Sequence, residues 1–224
     1  MKEIPFLTIV RTGVNATPDL LMGLAFLATW IEPTAIGPNM FTYCSTIMLL
    51  EFITIHSAGF MGLALITGTS KIGKVLRAVG LGCFYSLFIW AFTVSGGESW
   101  PMVAFWLLVL NRILSVLLED NADGSQQMFL MMSWGWNVFC YVIGIFLTTF
   151  IALPRFGWTE EMTKQLGGKA SGLWFESPQS LMAAGFLYFT AVGIFELYAP
   201  KLIQRFAASG PAGDLLKNIR TKRS

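Results

Sequence analysis

The feature that most constrains this chain is a series of apolar runs, each about as long as a membrane is thick, that recur along its 224 residues. A helix rises about 1.5 Å per residue, so about 20 apolar residues cross a hydrocarbon core of about 30 Å. Because backbone polar groups cannot stay unpaired in lipid, spans of this kind are helices. Hydrophobic residues make up 54% of the chain and charged residues only 12%, which is too apolar for a water-exposed surface. The sequence therefore predicts an all-α integral membrane protein with no soluble domain.

Short polar, glycine or proline segments separate the apolar runs and predict a bundle of about six transmembrane helices. The predicted spans cover residues 18–31, 41–67, 75–95, 101–118, 128–153 and 179–199 of a single domain, residues 18–200. Pro18 suits the first turn of a helix, so the first span is expected to begin there, after an N-terminal cytoplasmic or interfacial segment of residues 1–17. An outer connector, residues 154–178, and a basic cytoplasmic tail, residues 201–224, complete the organisation.

The distribution of positive charge predicts that both termini are cytoplasmic. With the N-terminus inside, eleven of the 15 Lys and Arg residues fall on the inner side and three on the outer side, while Arg112 lies within a span. Cytoplasmic loops normally hold this excess. The basic connectors and the lack of a cleavable leader favour a multi-pass protein of the bacterial inner (plasma) membrane. Four basic residues of the tail suit anionic lipid head groups, although topology alone also accounts for them: Lys217, Arg220, Lys222 and Arg223.

The second span carries Glu51 near its middle, which makes this carboxyl group the first candidate for a functional site. A charge far from both membrane surfaces is costly and usually marks a structural or functional role. Glu51 and Arg112 are expected about 15 and 17 Å from the outer ends of their helices, so we expect them to pair. Asn137 and Tyr141 fall at about the same height and complete a predicted polar belt. The belt is interpreted either as a clamp that fixes helix order or as a proton or ion relay.

Small residues recur at spacings that predict close helix packing. Thr54, Ala58 and Gly62 lie within about 60° of Glu51 around the helix, so Glu51 is expected to face protein rather than lipid. Similar packing surfaces are predicted on the third and sixth spans: Ala78, Gly82 and Ser86, and Gly185 and Gly193.

His56 is the only histidine of the chain. It lies about 140° around the helix from Glu51, so no direct bond between them is expected. The interpretations left open are a hydrogen-bonded packing residue, a proton-active group or a haem ligand. Membrane b-type haems usually take two axial histidines, so no cofactor is predicted. Three cysteines without zinc-ligand spacing are interpreted as packing residues, and no metal site is predicted: Cys44, Cys83 and Cys140.

The outer connector contains the pattern of a short helix over residues 159–166. Thr159 is a capping residue, two glutamates follow in the first turn, and glycines end the segment. Trp158, Trp174 and Phe175 are expected to hold this helix on the bilayer surface or against a partner. The acidic turn at residues 119–125 lacks the glutamate that a calcium loop requires, so a solvated turn is predicted.

These observations favour a non-catalytic polytopic subunit or scaffold of a larger membrane complex. The expected partners are the lipid bilayer and other membrane subunits or copies of the chain, without nucleic acid. No catalytic motif is recognisable, so no catalytic residue is predicted and an enzyme is the least favoured class. The alternative is a small homo-oligomeric transporter or channel in which the belt of Glu51, Arg112 and Asn137 moves protons or ions, with His56 as a pH-sensitive group.

Overall fold

The computed structural model describes residues 5–66, 70–96, 99–118, 124–167 and 176–209, and in these ranges the chain is helical without a strand. The helices are α1 (Pro5–Ile31), α2 (Met40–Ile66), α3 (Lys71–Gly96), α4 (Trp100–Leu118), α5 (Gly124–Phe150), α6 (Glu160–Gly167) and α7 (Pro178–Ser209). Four stretches are long and apolar enough to cross a membrane: Met40–Met61, Lys71–Ala91, Met131–Phe150 and Pro178–Tyr198. The predicted all-α class is confirmed, and four helices are consistent with a membrane protein. The two further spans stay a prediction, since α1 and α4 carry shorter apolar stretches, Ala16–Ile31 and Trp100–Asn111.

The first helix begins at Pro5 and continues through Pro18, so the helix start predicted at Pro18 is wrong. A proline inside a helix removes one backbone hydrogen bond but still has helical φ, and long helices tolerate this loss. The carbonyl of Val14 loses its helical donor at Pro18, and the Thr17 hydroxyl donates to the neighbouring carbonyl of Gly13 at 2.7 Å. Asp19 consequently lies within a long helix rather than at its start.

The last helix, α7, is the most deeply buried of the four long apolar helices. Half of its Pro178–Tyr198 stretch is buried, against 17% of Lys71–Ala91 in α3. Helix α1 packs antiparallel along α7, and α5 packs on α7 as well. Glycines permit the contact with α1, because a Cβ atom on Gly185 would overlap the ring of Phe26 and one on Gly193 would lie 2.8 Å from Leu20. The predicted packing role of these two glycines is confirmed.

The buried apolar side chains form two clusters that share α2. The first cluster joins α1, α2, α5 and α7, and it includes Phe26, Met48, Tyr141, Trp158 and Tyr188. The second joins α2 to α3 and α4, and its members are Ile53, Met61, Ile89, Phe105 and Val109. Helices α3 and α4 pack mainly on each other and on α2. Their contact includes the predicted small-residue surface of α3, where Ala78 is buried and Gly82 faces Val109.

The connector between α5 and α6 is fastened to the end of α1. The indole of Trp30 donates to the carbonyl of Pro154 at 2.9 Å, and the indole of Trp158 donates to the carbonyl of Thr29 at 3.1 Å. Trp158 is only 1% exposed. The expectation that it holds α6 on the bilayer surface or against a partner is therefore wrong, because its ring is buried inside this chain's own bundle. Trp174 and Phe175 lie outside the described residues.

The short helix predicted in the connector is confirmed as α6. The backbone N–H of Met162 donates to the Thr159 hydroxyl oxygen at 3.2 Å, as expected for a capping residue. Just before it, Phe156 has a φ of 47°, a left-handed conformation that costs a non-glycine residue about 1 to 2 kcal/mol. The next residue, Gly157, lies against α1, where a Cβ atom would be 2.9 Å from the carbonyl oxygen of Ile31. This segment is thus shaped to fit the end of α1.

We expect Gly185→Ala to lower the free energy of unfolding, measured by titration with sodium dodecyl sulfate, by about 1 to 3 kcal/mol, because the added methyl group overpacks the contact with Phe26. The matched control is Gly80→Ala on α3, where a Cβ atom would meet nothing within 4 Å. There, replacing glycine by alanine in a helix should leave stability unchanged or raise it. Equal effects of both substitutions would contradict the role of Gly185 in packing α1 on α7.

Candidate functional site

The site is centred on Glu51 of α2, whose carboxylate oxygen Oε2 accepts a hydrogen bond of 3.0 Å from the Tyr188 hydroxyl of α7. These residues are 137 positions apart in the chain. Tyr188 is 2% exposed, so the bond lies in the protein interior rather than in water or lipid. Glu51 therefore faces protein, and its interaction links α2 to α7.

A second tyrosine supports this pair from α5. The ring of Tyr141 meets that of Tyr188 edge to face, with centroids 5.5 Å apart. The Tyr141 hydroxyl donates to the carbonyl of Met48 at 2.9 Å, one turn before Glu51 on α2. Phe52 also contacts the Tyr141 ring, at a centroid distance of 6.0 Å. Tyr141 thus joins α5 to the same part of α2 and restricts the position of Tyr188.

Two more carboxyl groups lie near this pair, on α1 and α7. Asp19 lies on α1 where that helix packs on α7, Glu196 lies on α7, and each of the three carboxyl groups carries a negative charge when ionised. The Glu196 oxygen Oε2 is buried and has no hydrogen-bond partner within the described part of the chain. Like charges in a weakly polar interior repel each other, so carboxyl groups on three helices of one bundle are unfavourable unless some of them are protonated or paired. We call Asp19, Glu51 and Glu196 the carboxyl cluster.

The carboxyl cluster is spread along the bundle rather than gathered at one level. Leu20 of α1 lies opposite Gly193 of α7, which places Asp19 about level with residue 194. Asp19 is therefore about 9 Å along the axis from Tyr188, and Glu196 is about 3 Å further. Starting from Glu51, Asp19 and then Glu196 lie successively closer to the end of the bundle where α1 begins.

Three of the four residues of the predicted polar belt, Glu51, Asn137 and Tyr141, have described side chains. Tyr141 is buried beside Glu51's partner Tyr188, and Asn137 lies half-buried one turn before Tyr141 on α5. The Arg112 side chain lies outside the described side chains, so its pairing with Glu51 stays a prediction. Ile53, which lies about 160° around α2 from Glu51, packs in the second cluster with Val109 of α4. The described part of α4 thus meets a different face of α2 from the one that carries Glu51.

His56 lies on the exposed side of α2. Its Nδ1 atom is 2.9 Å from the carbonyl oxygen of Phe52, and the two rings lie 4.2 Å apart between centroids. A hydrogen bond to the backbone of its own helix supports the interpretation of His56 as a structural residue. Its predicted roles as a proton-active group or a haem ligand stay untested.

The remaining predicted groups contribute little to this site. Cys44 is buried and Cys140 half-buried, as expected for packing residues, whereas Cys83 is exposed. No group of His, Cys, Asp or Glu among the described residues is arranged to hold a metal ion. The turn at residues 119–123 and the four basic tail residues Lys217, Arg220, Lys222 and Arg223 lie outside the described ranges.

Comparisons of the chain with protein-family models, with curated proteins and with solved structures found no match. The function is therefore inferred from the geometry of the carboxyl cluster. The sequence pattern identified Glu51 but missed Tyr188 as its partner and Asp19 and Glu196 as further members of the site. A helix start at Pro5 would have placed Asp19 inside a helix, whereas the packing of α1 on α7 depends on long-range contacts that the sequence pattern does not show.

We expect Tyr188→Phe to destabilise the protein by about 1.5 to 3 kcal/mol in a detergent unfolding titration, because it removes the donor to a buried carboxylate while keeping the ring. Tyr85→Phe is the control, since the Tyr85 ring on α3 contacts Phe84 and Phe88 and needs no hydroxyl for those contacts. If both substitutions have the same small effect, the bond between Tyr188 and Glu51 does not hold α2 on α7.

Proposed function

We propose that this protein moves protons, or another small cation, across a membrane through the carboxyl cluster. The observation that supports this proposal is the position of Glu51, deep in a membrane-length helix, with Asp19 and Glu196 continuing from it towards one end of the bundle. Ionisable residues within spans commonly mark proton and ion pathways. A clamp that only fixes helix order needs one pair, whereas three acidic side chains on three helices exceed that need.

In the proposed mechanism each residue has a separate task. Glu196 and Asp19 take up a proton at the end of the bundle where α1 begins and pass it to Glu51. Tyr188 holds the Glu51 carboxyl group by its hydrogen bond, and Tyr141 keeps the Tyr188 ring in place. The predicted pairing of Arg112 with Glu51 is not part of this mechanism, because the described part of α4 packs on the face of α2 that carries Ile53. Asn137 completes the polar surface on α5.

We also propose that the chain crosses the bacterial inner membrane six times and that both termini lie in the cytoplasm. Support comes from the bias of Lys and Arg residues, and from the antiparallel packing of α1 on α7. An even number of crossings brings the start of the first helix and the end of the last to the same side. Asp19 and Glu196 would then lie towards the cytoplasmic side.

We expect Glu51→Gln to reduce proton flux at least tenfold in liposomes that contain the purified protein and a pH-sensitive dye. The glutamine side chain keeps the size and an oxygen that accepts the Tyr188 hydrogen bond, but it cannot carry a proton. The control is Glu161→Gln, which makes the same chemical change at an exposed position of α6. Unchanged flux in folded Glu51→Gln protein, or no flux in the unaltered protein, would rule out the proposal.

A second candidate function is that of a non-catalytic subunit or scaffold in a membrane complex. Helix α3 supports it, since three aromatic side chains that are 48% to 59% exposed lie on this weakly packed helix: Phe84, Phe88 and Trp90. Such a surface suits either lipid or another membrane protein. The two functions are compatible, because a proton pathway can belong to one subunit of an assembly.

If α3 contacts a partner, we expect a stoichiometric protein to copurify after gentle solubilisation from the native membrane. Phe84→Ala and Phe88→Ala together should then release it, because these rings would form the contact. The matched control changes an exposed aromatic pair on another helix, Phe146 and Phe150 of α5, to alanine. Loss of the partner in both double variants, or its absence from the start, would count against the subunit function.

A further inference from the structure

The two ends of the bundle differ in what surrounds Glu51. Towards the end where α1 finishes, the side chains of the first cluster are large and apolar and at most 1% exposed, namely Phe26, Phe41, Cys44, Met48, Trp158, Leu181 and Met182. Towards the other end lie Asp19 and Glu196, both half-buried, and the exposed indoles of Trp134 and Trp136. The further carboxyl groups thus lie on one side of Glu51 only, and the largest buried rings of the first cluster lie on the other.

The connector that follows α5 covers the end of the bundle where α1 finishes. Trp158 sits edge to face on Phe41 with ring centroids 5.1 Å apart, and Phe41 lies about 15 Å along α2 from Glu51. The backbone N–H of Gly157 donates to the carbonyl of Ile31 at 3.0 Å, and the Trp158 indole donates to that of Thr29. These carbonyls belong to the last turn of α1, where no further helical N–H is available to them. The closure therefore also completes the end of α1.

Resting on the proposed function, we propose that Trp158 and Phe41 form a plug that closes one end of the bundle, so that the carboxyl cluster exchanges protons only with the end where α1 begins. Transfer to the opposite side then requires the plug to leave the end of α1. The plug is fastened by three hydrogen bonds, from Trp30, Gly157 and Trp158. Opening the plug replaces these hydrogen bonds by bonds to water and exposes the buried ring of Trp158.

The chain contains its own reporter for the plug. Cys44 of α2 is 0% exposed, and it lies one turn below Phe41 and in the same buried cluster as Trp158. In a background with Cys83→Ser and Cys140→Ser, Cys44 is the only thiol of the chain. Its modification by a small, charged, membrane-impermeant thiosulfonate reagent reports whether water reaches the space beneath Trp158.

We expect Cys44 to react very slowly in this background and at least tenfold faster after Trp158→Ala, with the reagent on the side opposite the N-terminus. The control is Trp136→Ala, which removes an equally large ring near the other end, where its indole donates to the carbonyl of Ala191. That change should leave the Cys44 rate unaltered. Fast labelling before Trp158 is changed, or an unchanged rate in folded Trp158→Ala protein, would overturn the plug.

Two further labelling experiments test the plug without Trp158→Ala. If Trp158→Ala does not fold, Trp158→Phe keeps most of the ring but loses the indole donor to Thr29, and it should raise the Cys44 rate to a smaller extent. With Cys44→Ser added, Asp19→Cys should react from the N-terminal side and not from the other. Labelling of Asp19→Cys from both sides would overturn one-sided access. Labelling does not depend on transport, so the two proposals can fail separately. The expected labelling without proton flux would reject the proton pathway but would still support the plug.

Discussion

The close contact of α1 with α7 is the interaction on which the rest of the bundle depends. Lipid tails are as apolar as leucine, so helices in a membrane associate through tight packing rather than through the hydrophobic effect. Gly23 on α1 and Gly185 and Gly193 on α7 permit that packing, since a Cβ atom at any of them would lie 2.8 Å or less from the opposite helix. The same contact brings Asp19 to the interior and next to Glu196. The glycines therefore position the carboxyl cluster as well as the helices.

Helix α2 divides the molecule because its two faces have different partners. One face carries Glu51 and meets Tyr188 of α7, while the other carries Ile53 and packs in the cluster with α3 and α4. Its residues are apolar almost all round, as in a helix covered by protein and lipid on every side. The few polar groups on such a helix need specific partners, because lipid offers them none. Glu51 accordingly accepts a hydrogen bond from the Tyr188 hydroxyl. The Tyr141 hydroxyl of α5 has the same need for a partner and donates to the carbonyl of Met48 on α2.

The features that were predictable from sequence are those that depend on local chemistry. The helix α6 follows from its capping threonine and first-turn glutamates, and the long helices follow from apolar length. The helix start predicted at Pro18 was wrong because proline is favoured at helix starts but is also tolerated within long helices. The surface position predicted for Trp158 was wrong because tryptophan near the end of a span is typical of two environments. It occurs as an interfacial anchor and as a buried side chain whose indole N–H has a hydrogen-bond acceptor.

The sequence by itself determined that the chain is helical, that several helices have membrane length, and that Glu51 lies deep within one of them. Hydropathy and helical rise are properties of consecutive residues, so neighbours in the chain are enough to define them. Only the tertiary structure decided that Tyr188 is the partner of Glu51, that α1 packs on α7 beside Asp19, and that Trp158 is buried against the end of α1. Those contacts join residues more than 30 positions apart, and they depend on which helices approach each other and at what register, which apolar composition alone leaves open.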